Sequence, residues 1–222
     1  MKKQVMILTG AGQIGMAIAR RMGYGMKLII GDKRKENADA ISDIMNKAGY
    51  DTVSIEMDLS SRDSIRSLID TAQQYGDITM LVNAAGVSPS QASIETILKV
   101  DLYGTAVLLE EVGKVIVEGG TSVTISSQSG HRMPALGAEI DEQLAMTPTE
   151  ELLKLDVLHP ANIRDTLHAY QLAKRCNVKR VMAEAVKWGE RGARINSISP
   201  GIIVTPLAID EFNGPRGDFY KN

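Results

Sequence analysis

Val5-Met6-Ile7-Leu8-Thr9-Gly10-Ala11-Gly12-Gln13-Ile14-Gly15 is the stretch that decides the fold. An apolar run of strand length breaks at a G-x-G-x-x-G turn, and Met16 to Met22 then carries helical spacing. The glycines permit a tight turn and let a dinucleotide pyrophosphate approach the backbone at a helix N-terminus. The glycine pattern alone is a weak signal. A strand before it and a helix after it supply the context that the motif requires.

Outward from this unit the same alternation continues. Strands are expected at Gln4–Thr9, Lys27–Gly31, Thr52–Met57, Ile78–Asn83, Thr121–Ser126 and Arg194–Ser197, with helices at Ile14–Met22, Lys35–Ala48, Ser61–Tyr75, Ala92–Glu118 and Ile163–Trp188. Short apolar strands between amphipathic helices imply an α/β class, a doubly wound, mostly parallel, Rossmann-type sheet with helices on both faces. Right-handed crossovers then bring the strand C-termini to one edge, so Gly10, Asp32, Asp58, Asn83, Ser127 and Pro200 converge on one crevice. Residues 1–222 are expected to form one such domain, without internal repeats or a low-complexity linker.

On the last long helix, Tyr170-Gln171-Leu172-Ala173-Lys174 sets a phenol and an ammonium four residues apart, on one helix face. A neighbouring ammonium favours the phenolate form of a tyrosine, which suits proton exchange with an alcohol or carbonyl. Asp32 ends the second apolar run 17 residues after Gly15, where a carboxylate binds a ribose 2′-hydroxyl. Asn83-Ala84-Ala85-Gly86, Ile125-Ser126-Ser127 and Pro200-Gly201 follow in order.

Together these residues resemble the short-chain dehydrogenase/reductase family over nearly the whole chain. The resemblance implies a nicotinamide-dependent oxidoreductase interconverting a secondary alcohol and a ketone. It implies Ser127, Tyr170 and Lys174 as catalytic, with Asp101 in Val100-Asp101-Leu102-Tyr103-Gly104-Thr105 at the place of the family's catalytic Asn. For the cofactor it implies Gly10, Gly12, Gln13, Ile14, Gly15, Asp32, Lys33, Asp58 with Leu59, Asn83, Ala84, Ala85, Gly86, Tyr170, Lys174, Pro200, Gly201, Ile203 and Thr205. Asp32 favours NAD, and the cations Lys33 and Arg34 beside it leave NADP open.

Three departures stand out. The glycine-rich loop is one residue shorter than the commonest family form. Asp101 brings a negative charge beside Lys174, with an altered pH optimum as its expected consequence. Ser127 and Tyr170 lie 43 residues apart, farther than is typical, and this spacing resembles the 3α-hydroxysteroid dehydrogenase/carbonyl reductase branch. Trp188-Gly189-Glu190-Arg191-Gly192 resembles that branch as well. A hydroxysteroid or another bulky carbonyl compound is the expected substrate. A 3-oxoacyl thioester reductase and a catalytically weak nucleotide-binding regulator are the alternatives.

Residues 131–162 interrupt the alternation. Glu139–Leu144 and Pro148–Leu153 read as short acidic helices, the second with Thr147 as N-cap and Pro148 in its first turn. One reading makes the segment a surface excursion. The other has it wall the substrate pocket or shape subunit contacts, with Met133, Leu136, Ile140, Leu144, Leu152 and Leu155 as its apolar contacts. The family's final strand has no counterpart before Asn222.

With 25 basic and 27 acidic residues, net −2, nothing in the charge balance favours nucleic acid or an anionic membrane. Cys176, the single cysteine, excludes an internal disulfide and fits a reducing compartment and a buried helix position. The apolar run after Met1-Lys2-Lys3 is too short for a signal peptide. A cytoplasmic location is therefore expected, and the family resemblance implies a homo-oligomer, a dimer or tetramer, acting on a small alcohol or carbonyl substrate. His131 lies near Ser127 without a G-x-S-x-G elbow, and His159 and His168 lack metal-ligand company, so no metal site is assigned.

Overall fold

The computed structural model describes residues 3–213 and Gly217. Met1, Lys2, residues 214–216 and residues 218–222, which the sequence reading counts within the domain, lie outside the described residues. Six parallel strands form one sheet: β1 Gln4–Thr9, β2 Lys27–Asp32, β3 Asp51–Glu56, β4 Asp77–Asn83, β5 Thr121–Ile125 and β6 Arg194–Ile198. Their order is β3-β2-β1-β4-β5-β6, so the winding reverses between β1 and β4. Register aligns the carboxyl ends, with Thr9 opposite Gly31 and Asn83, Asn83 opposite Thr124, and Ile125 opposite Ile198. A crevice at such a switch point is where open α/β sheets bind ligands.

Burial follows the pleat. In β1, Val5 and Ile7 face one apolar cluster while Met6 and Leu8 face another, and all four side chains are fully buried. That explains why the strand reads as a continuous apolar run instead of an alternating one. Each such side chain stabilises the fold by roughly 1.5–3 kcal/mol. Helices α1 Gln13–Met22 and α2 Lys35–Lys47 cover the Met6 face, through residues such as Ala19, Ile41 and Met45. Helix α3 Arg62–Tyr75 covers the opposite face.

The expected helix Ala92–Glu118 is shorter and composite. Ser93 caps its start through a hydrogen bond accepted from Thr96 N, leaving α4 as Ile94–Ile97. A π-helical segment, Leu98–Gly104, follows, and α5 covers Thr105–Gly113. Beyond Gly113 the chain turns to the sheet, where Val117 N donates to Ile78 O. Helices α6 Ser129–Arg132 and α7 Ala138–Met146 precede the long α8, Thr166–Glu190, whose start is capped by Asp165. The expected acidic helix at 148–153 is instead a 3₁₀ turn, Thr149–Lys154, and Thr147 ends α7 where it was expected to cap the next helix. Pro148 cannot donate a helical hydrogen bond and stands before the turn. Trp188 of α8 is fully buried and donates through Nε1 to Leu109 O, while Arg191 donates to Ile116 O. The Trp188–Gly192 motif thereby anchors α8 to the end of α5.

Residues 131–162 fold onto the molecule. Met133, Leu144, Leu152 and Leu158 pack with Leu98 and Leu102 of the π segment and with Leu172, Ala173 and Cys176 of α8. Arg180, almost fully buried, donates to the carbonyls of Ala145 and Thr147 at the open end of α7 and to Thr149 Oγ1. Arg175 holds Asp141 bidentately, at 2.6 Å for both contacts.

Candidate active site

The glycine-rich turn divides its work among three positions. Gly10 has a φ of +87°, and a Cβ there would lie 2.5 Å from Ala85 N, so the turn closes directly on the chain leaving β4. Gly15 is likewise crowded, with a Cβ placed 2.8 Å from Gly10 O and 2.9 Å from Leu8 Cδ1, because α1 packs hard on β1. Gly12 differs: no atom stands within 4 Å of a Cβ built on it. It is also the N-cap of α1 and supplies no side-chain acceptor to the first turn. An open backbone face at an uncapped helix N-terminus fits a pyrophosphate group.

Asp32, at the end of β2, accepts from Ala11 N at 2.9 Å through one carboxylate oxygen and from Arg34 N at 2.9 Å through the other. The carboxylate thus fixes the glycine-rich turn as well as ending the strand. Lys33 does not turn toward Asp32. Its ammonium pairs with Asp58 at 2.9 Å, across the ends of β2 and β3. Burial would raise the Asp58 carboxyl, but hydrogen bonds from Ser60 and the Lys33 ammonium outweigh it and hold Asp58 below the ordinary carboxylate range. Leu59 puts its side chain into the core, 3% exposed. Asn83 is also buried, accepting from Thr9 Oγ1 and donating to Thr105 Oγ1. Its side chain ties β1, β4 and α5 together.

One cleft of about 230 Å³ gathers most of the remaining candidates. Ile14, Ala84, Ala85 and Gly86 line it from the β1–β4 side, and Ser127, Tyr170 and Lys174 from β5 and α8. Pro200, Gly201, Ile203 and Thr205 close it after β6. Gly10, Gly12, Gln13, Gly15, Asp32, Lys33, Asp58, Leu59, Asn83 and Asp101 are not among its lining residues, and neither is any residue from 131 to 162. The segment inserted between Ser127 and Tyr170 buries Met133, Leu144 and Leu152 within the chain's own core, where it packs beside the cleft's supporting helices.

Two adjacent serines do different jobs. Ser126 is buried and donates to Lys174 O at 2.7 Å, which docks α8 against the end of β5. Ser127 is partly open to the cleft, and its Oγ accepts from Ser129 N at 3.1 Å, leaving its hydroxyl proton able to serve as a donor. His131 meets Ser199 Oγ at 2.9 Å. Among the described residues no cluster of three His, Cys, Asp or Glu side chains suits a metal ion, and no helix is long and apolar enough to cross a membrane.

Lys174 is 5% exposed. Its ammonium donates to Ile125 O at 3.3 Å, lies 5.3 Å from the Tyr170 ring centroid, and stands 3.6 Å from Asp101 Oδ2. Burial works against the charge, yet the Asp101 carboxylate, together with the negative charge of Tyr170 in its phenolate form, outweighs it and holds Lys174 above the ordinary lysine range. Asp101 has no exposed surface, and burial pushes its carboxyl up against the pull of Lys174 and of the hydrogen bond from Val87 N. Cys176, two residues after Lys174, is buried and its thiol is pushed up to about 12, which makes it unreactive packing. A hydroxyl donor, a phenol and a buried ammonium on one cleft can hold an oxygen atom and exchange a proton with it.

Several lining residues escape the sequence reading: Val87, Ser88 and Pro89 after Gly86, Gln128 and Ser129 after Ser127, and Ile202, Ala208 and Phe212. Ala208 and Phe212 belong to α9, Pro206–Asn213. The signal for that helix is Thr205-Pro206, a capping residue followed by proline at the first helical position. Thr205 Oγ1 indeed accepts from Ala208 N at 3.3 Å.

Comparison with known proteins gives concordant findings. A family model for short chain dehydrogenase proteins matches residues 4–139. The chain is similar to the short-chain dehydrogenase/reductase bsc3 of Alternaria brassicicola, 38% identical over 208 residues, covering 93% of this chain and 76% of that protein. It is 28% identical over 230 residues to the D-threitol dehydrogenase of Mycolicibacterium smegmatis, covering 98% and 77%. A crystal structure of an actinorhodin polyketide ketoreductase variant with NADPH shares the fold, with a TM-score of 0.73, 22% identity, and coverage of 99% of this chain and 78% of that one.

Proposed function

Because the chain belongs to the short-chain dehydrogenase/reductase family, and is thus an oxidoreductase with a nicotinamide-binding fold, we propose that it interconverts a secondary alcohol and a ketone. The observation that carries this reading is the shared cleft, where Ser127, Tyr170 and Lys174 meet Ile14 and Gly86 from the glycine-rich end of the sheet. A bound nicotinamide dinucleotide supplies or accepts the hydride. Gly12, Gln13 and Ile14 at the start of α1 would hold its pyrophosphate, Asp32 its adenosine ribose, and Lys174 with Thr205 its nicotinamide half.

The chain's own residues handle the proton. In ketone reduction Ser127 donates a hydrogen bond to the substrate oxygen and orients it. Tyr170 donates its phenolic proton to that oxygen as negative charge builds there. The Lys174 ammonium stabilises the phenolate left behind, since a positive charge nearby favours the charged form. In alcohol oxidation the phenolate takes the proton back.

NAD is the favoured cofactor. The Asp32 carboxylate at the end of β2 would repel an additional phosphate on the adenosine ribose, and Lys33, which would attract one, is paired with Asp58. Val87, Pro89, Ile202 and Phe212 give the cleft an apolar lining. That supports a bulky apolar carbonyl substrate such as a hydroxysteroid, in keeping with the resemblance to the 3α-hydroxysteroid dehydrogenase/carbonyl reductase branch. Met182 and Val186 expose apolar surface on α8 and support a homo-oligomer. A single domain and a reducing, cytoplasmic location complete the reading, the latter supported by the unpaired, buried Cys176.

The test is a panel of ketones and alcohols incubated with NAD(H) or NADP(H), with the reduced nicotinamide followed by absorbance. Turnover of bulky cyclic ketones or their alcohols is expected, faster with NAD(H). Nucleotide binding without turnover of any member would instead favour the regulator reading.

A further inference from the structure

The π-helical segment Leu98–Gly104 places Asp101 where an ordinary helix residue would not be expected to carry a charge: it has no exposed surface at all. Its two oxygens have different surroundings. Oδ1 accepts from Val87 N at 2.8 Å, which pins the loop whose residues Val87, Ser88 and Pro89 line the cleft. Oδ2 is fully buried and has no hydrogen-bond partner, and the nearest cation is Lys174 Nζ at 3.6 Å. Gly86 completes the enclosure. A Cβ built there would lie 3.3 Å from Asp101 Oδ1 and 3.4 Å from Lys174 Nζ, so a side chain at this position would press on both charged groups.

A buried ammonium is unfavourable unless it is paired. From α8, the groups facing Asp101 are Lys174 and, beyond it, Tyr170. On the neighbouring α4 and the 3₁₀ turn, Glu95 pairs with the exposed Lys99 and Glu150 with Arg62 and Tyr103, so neither competes for Lys174.

We propose that Asp101 is the counter-ion of Lys174, and that this buried pair, through the offset field at Tyr170, sets the pH window in which the site exchanges protons. Asp101 is then a positioning residue: it touches neither substrate nor cofactor and acts through Lys174 and through the Val87 loop. The proposal rests on Tyr170 and Lys174 being the acid–base pair of the site.

Asp101→Asn removes the charge but keeps an acceptor for Val87 N. With Lys174 no longer offset, its positive field acts fully on Tyr170, and Lys174 itself holds its proton less tightly. Both limbs of the pH profile of alcohol oxidation should therefore move to lower pH, the limb set by Lys174 by about one unit or more given a carboxylate at 3.6 Å. KM for the alcohol should change little. Asp101→Ala also frees the loop, so it should raise KM in addition to moving the profile. A readout independent of turnover is the tyrosinate absorbance difference between the protein and its Tyr170→Phe variant, titrated with pH in the parent and D101N backgrounds. The midpoint is expected to fall in the D101N background.

Superimposable profiles and midpoints, or a midpoint that rises, would overturn the proposal. If D101N folds poorly, the double variant D101N/K174M decides. Removing the stranded ammonium should restore much of the lost stability, and no recovery would overturn the pairing. Equal turnover by the parent and Tyr170→Phe would instead defeat the acid–base reading of the site, and the stability cycle would still judge the ion pair on its own.

Discussion

Gly10 and Gly12 stand two residues apart in one loop, yet the geometry demands opposite consequences when each becomes alanine. At Gly10 the backbone has a φ of +87°, and the new Cβ would fall 2.5 Å from Ala85 N, 2.6 Å from Ala85 Cα and 2.7 Å from Ala84 C. These are backbone atoms of the chain leaving β4 and have no rotamer by which to retreat. A left-handed conformation costs an L-residue about 1–2 kcal/mol. Overpacking of a tight site adds about 1–3 kcal/mol. Gly10→Ala should thus destabilise by about 2–5 kcal/mol, a large part of the 5–15 kcal/mol typical of a domain. Gly12 has a φ of −101° and no neighbour within 4 Å of a built Cβ. Alanine there should change stability by no more than about 1 kcal/mol, a gain through the unfolded chain being offset by the loss of a preferred N-cap residue.

The cost at Gly12 should appear in binding. A methyl on the open face keeps a pyrophosphate from the backbone, and one hydrogen bond to a charged group is worth about 1.5–3 kcal/mol. That corresponds to roughly 10–100-fold in Kd. Denaturant midpoints for both variants, beside calorimetric titration with NAD and NADP, make the test. If Gly12→Ala bound either nucleotide as tightly as the parent, or unfolded as readily as Gly10→Ala, the assignment of that open face to a phosphate group would be refuted.

Other predictions follow from the same geometry. Asp32→Ala removes the acceptor of Ala11 N and the repulsion of a 2′-phosphate, so NAD affinity should fall and the NAD/NADP preference shift toward NADP; tighter binding of NADP than NAD by the parent, measured by titration, contradicts the assignment. Leu144→Ala, at a fully buried position in the inserted segment, should cost about 2–5 kcal/mol in denaturant unfolding while leaving nucleotide affinity within error, because no residue of 131–162 lines the cleft. A large loss of nucleotide affinity in a folded Leu144→Ala protein would show that the segment supports the cofactor side of the site.

The strands were legible because both faces of this sheet are covered, which turns Val5–Leu8 and Leu28–Ile30 into continuous apolar runs that end close to a glycine, Gly10 and Gly31. Topology placed Ser127 and Pro200 on one cleft, since strand ends in a parallel sheet share an edge, whereas Tyr170 and Lys174 reach it from α8 and Gly10, Asp32, Asp58 and Asn83 lie outside its lining. The region from Ala92 to Glu118 resisted reading because a π-helical segment has the composition of an α-helix. Its extra residue is set by tertiary packing around Asp101, which has no local signature. Asn83 fits a family motif, but hydrogen bonds to Thr9 and Thr105 across three elements bury its side chain, and spacing alone does not reveal such long-range contacts. The pairing of Lys33 with Asp58 was hidden for the same reason. In the segment 131–162 the apolar residues were visible, but their target was not: a helix face and a substrate present equally apolar surfaces.

The central claim is that Tyr170 exchanges the proton in a nicotinamide-linked alcohol–ketone interconversion, and the most direct measurement is single-turnover kinetics of Tyr170→Phe beside a cofactor titration. The phenyl ring keeps the shape and the Lys174 contact but carries no proton to give. The account predicts a loss of about 10²–10⁴-fold in the chemical step, with Kd for the nicotinamide cofactor nearly unchanged. A Phe variant that turns over its ketone at the parent's rate, with the cofactor bound, would contradict it.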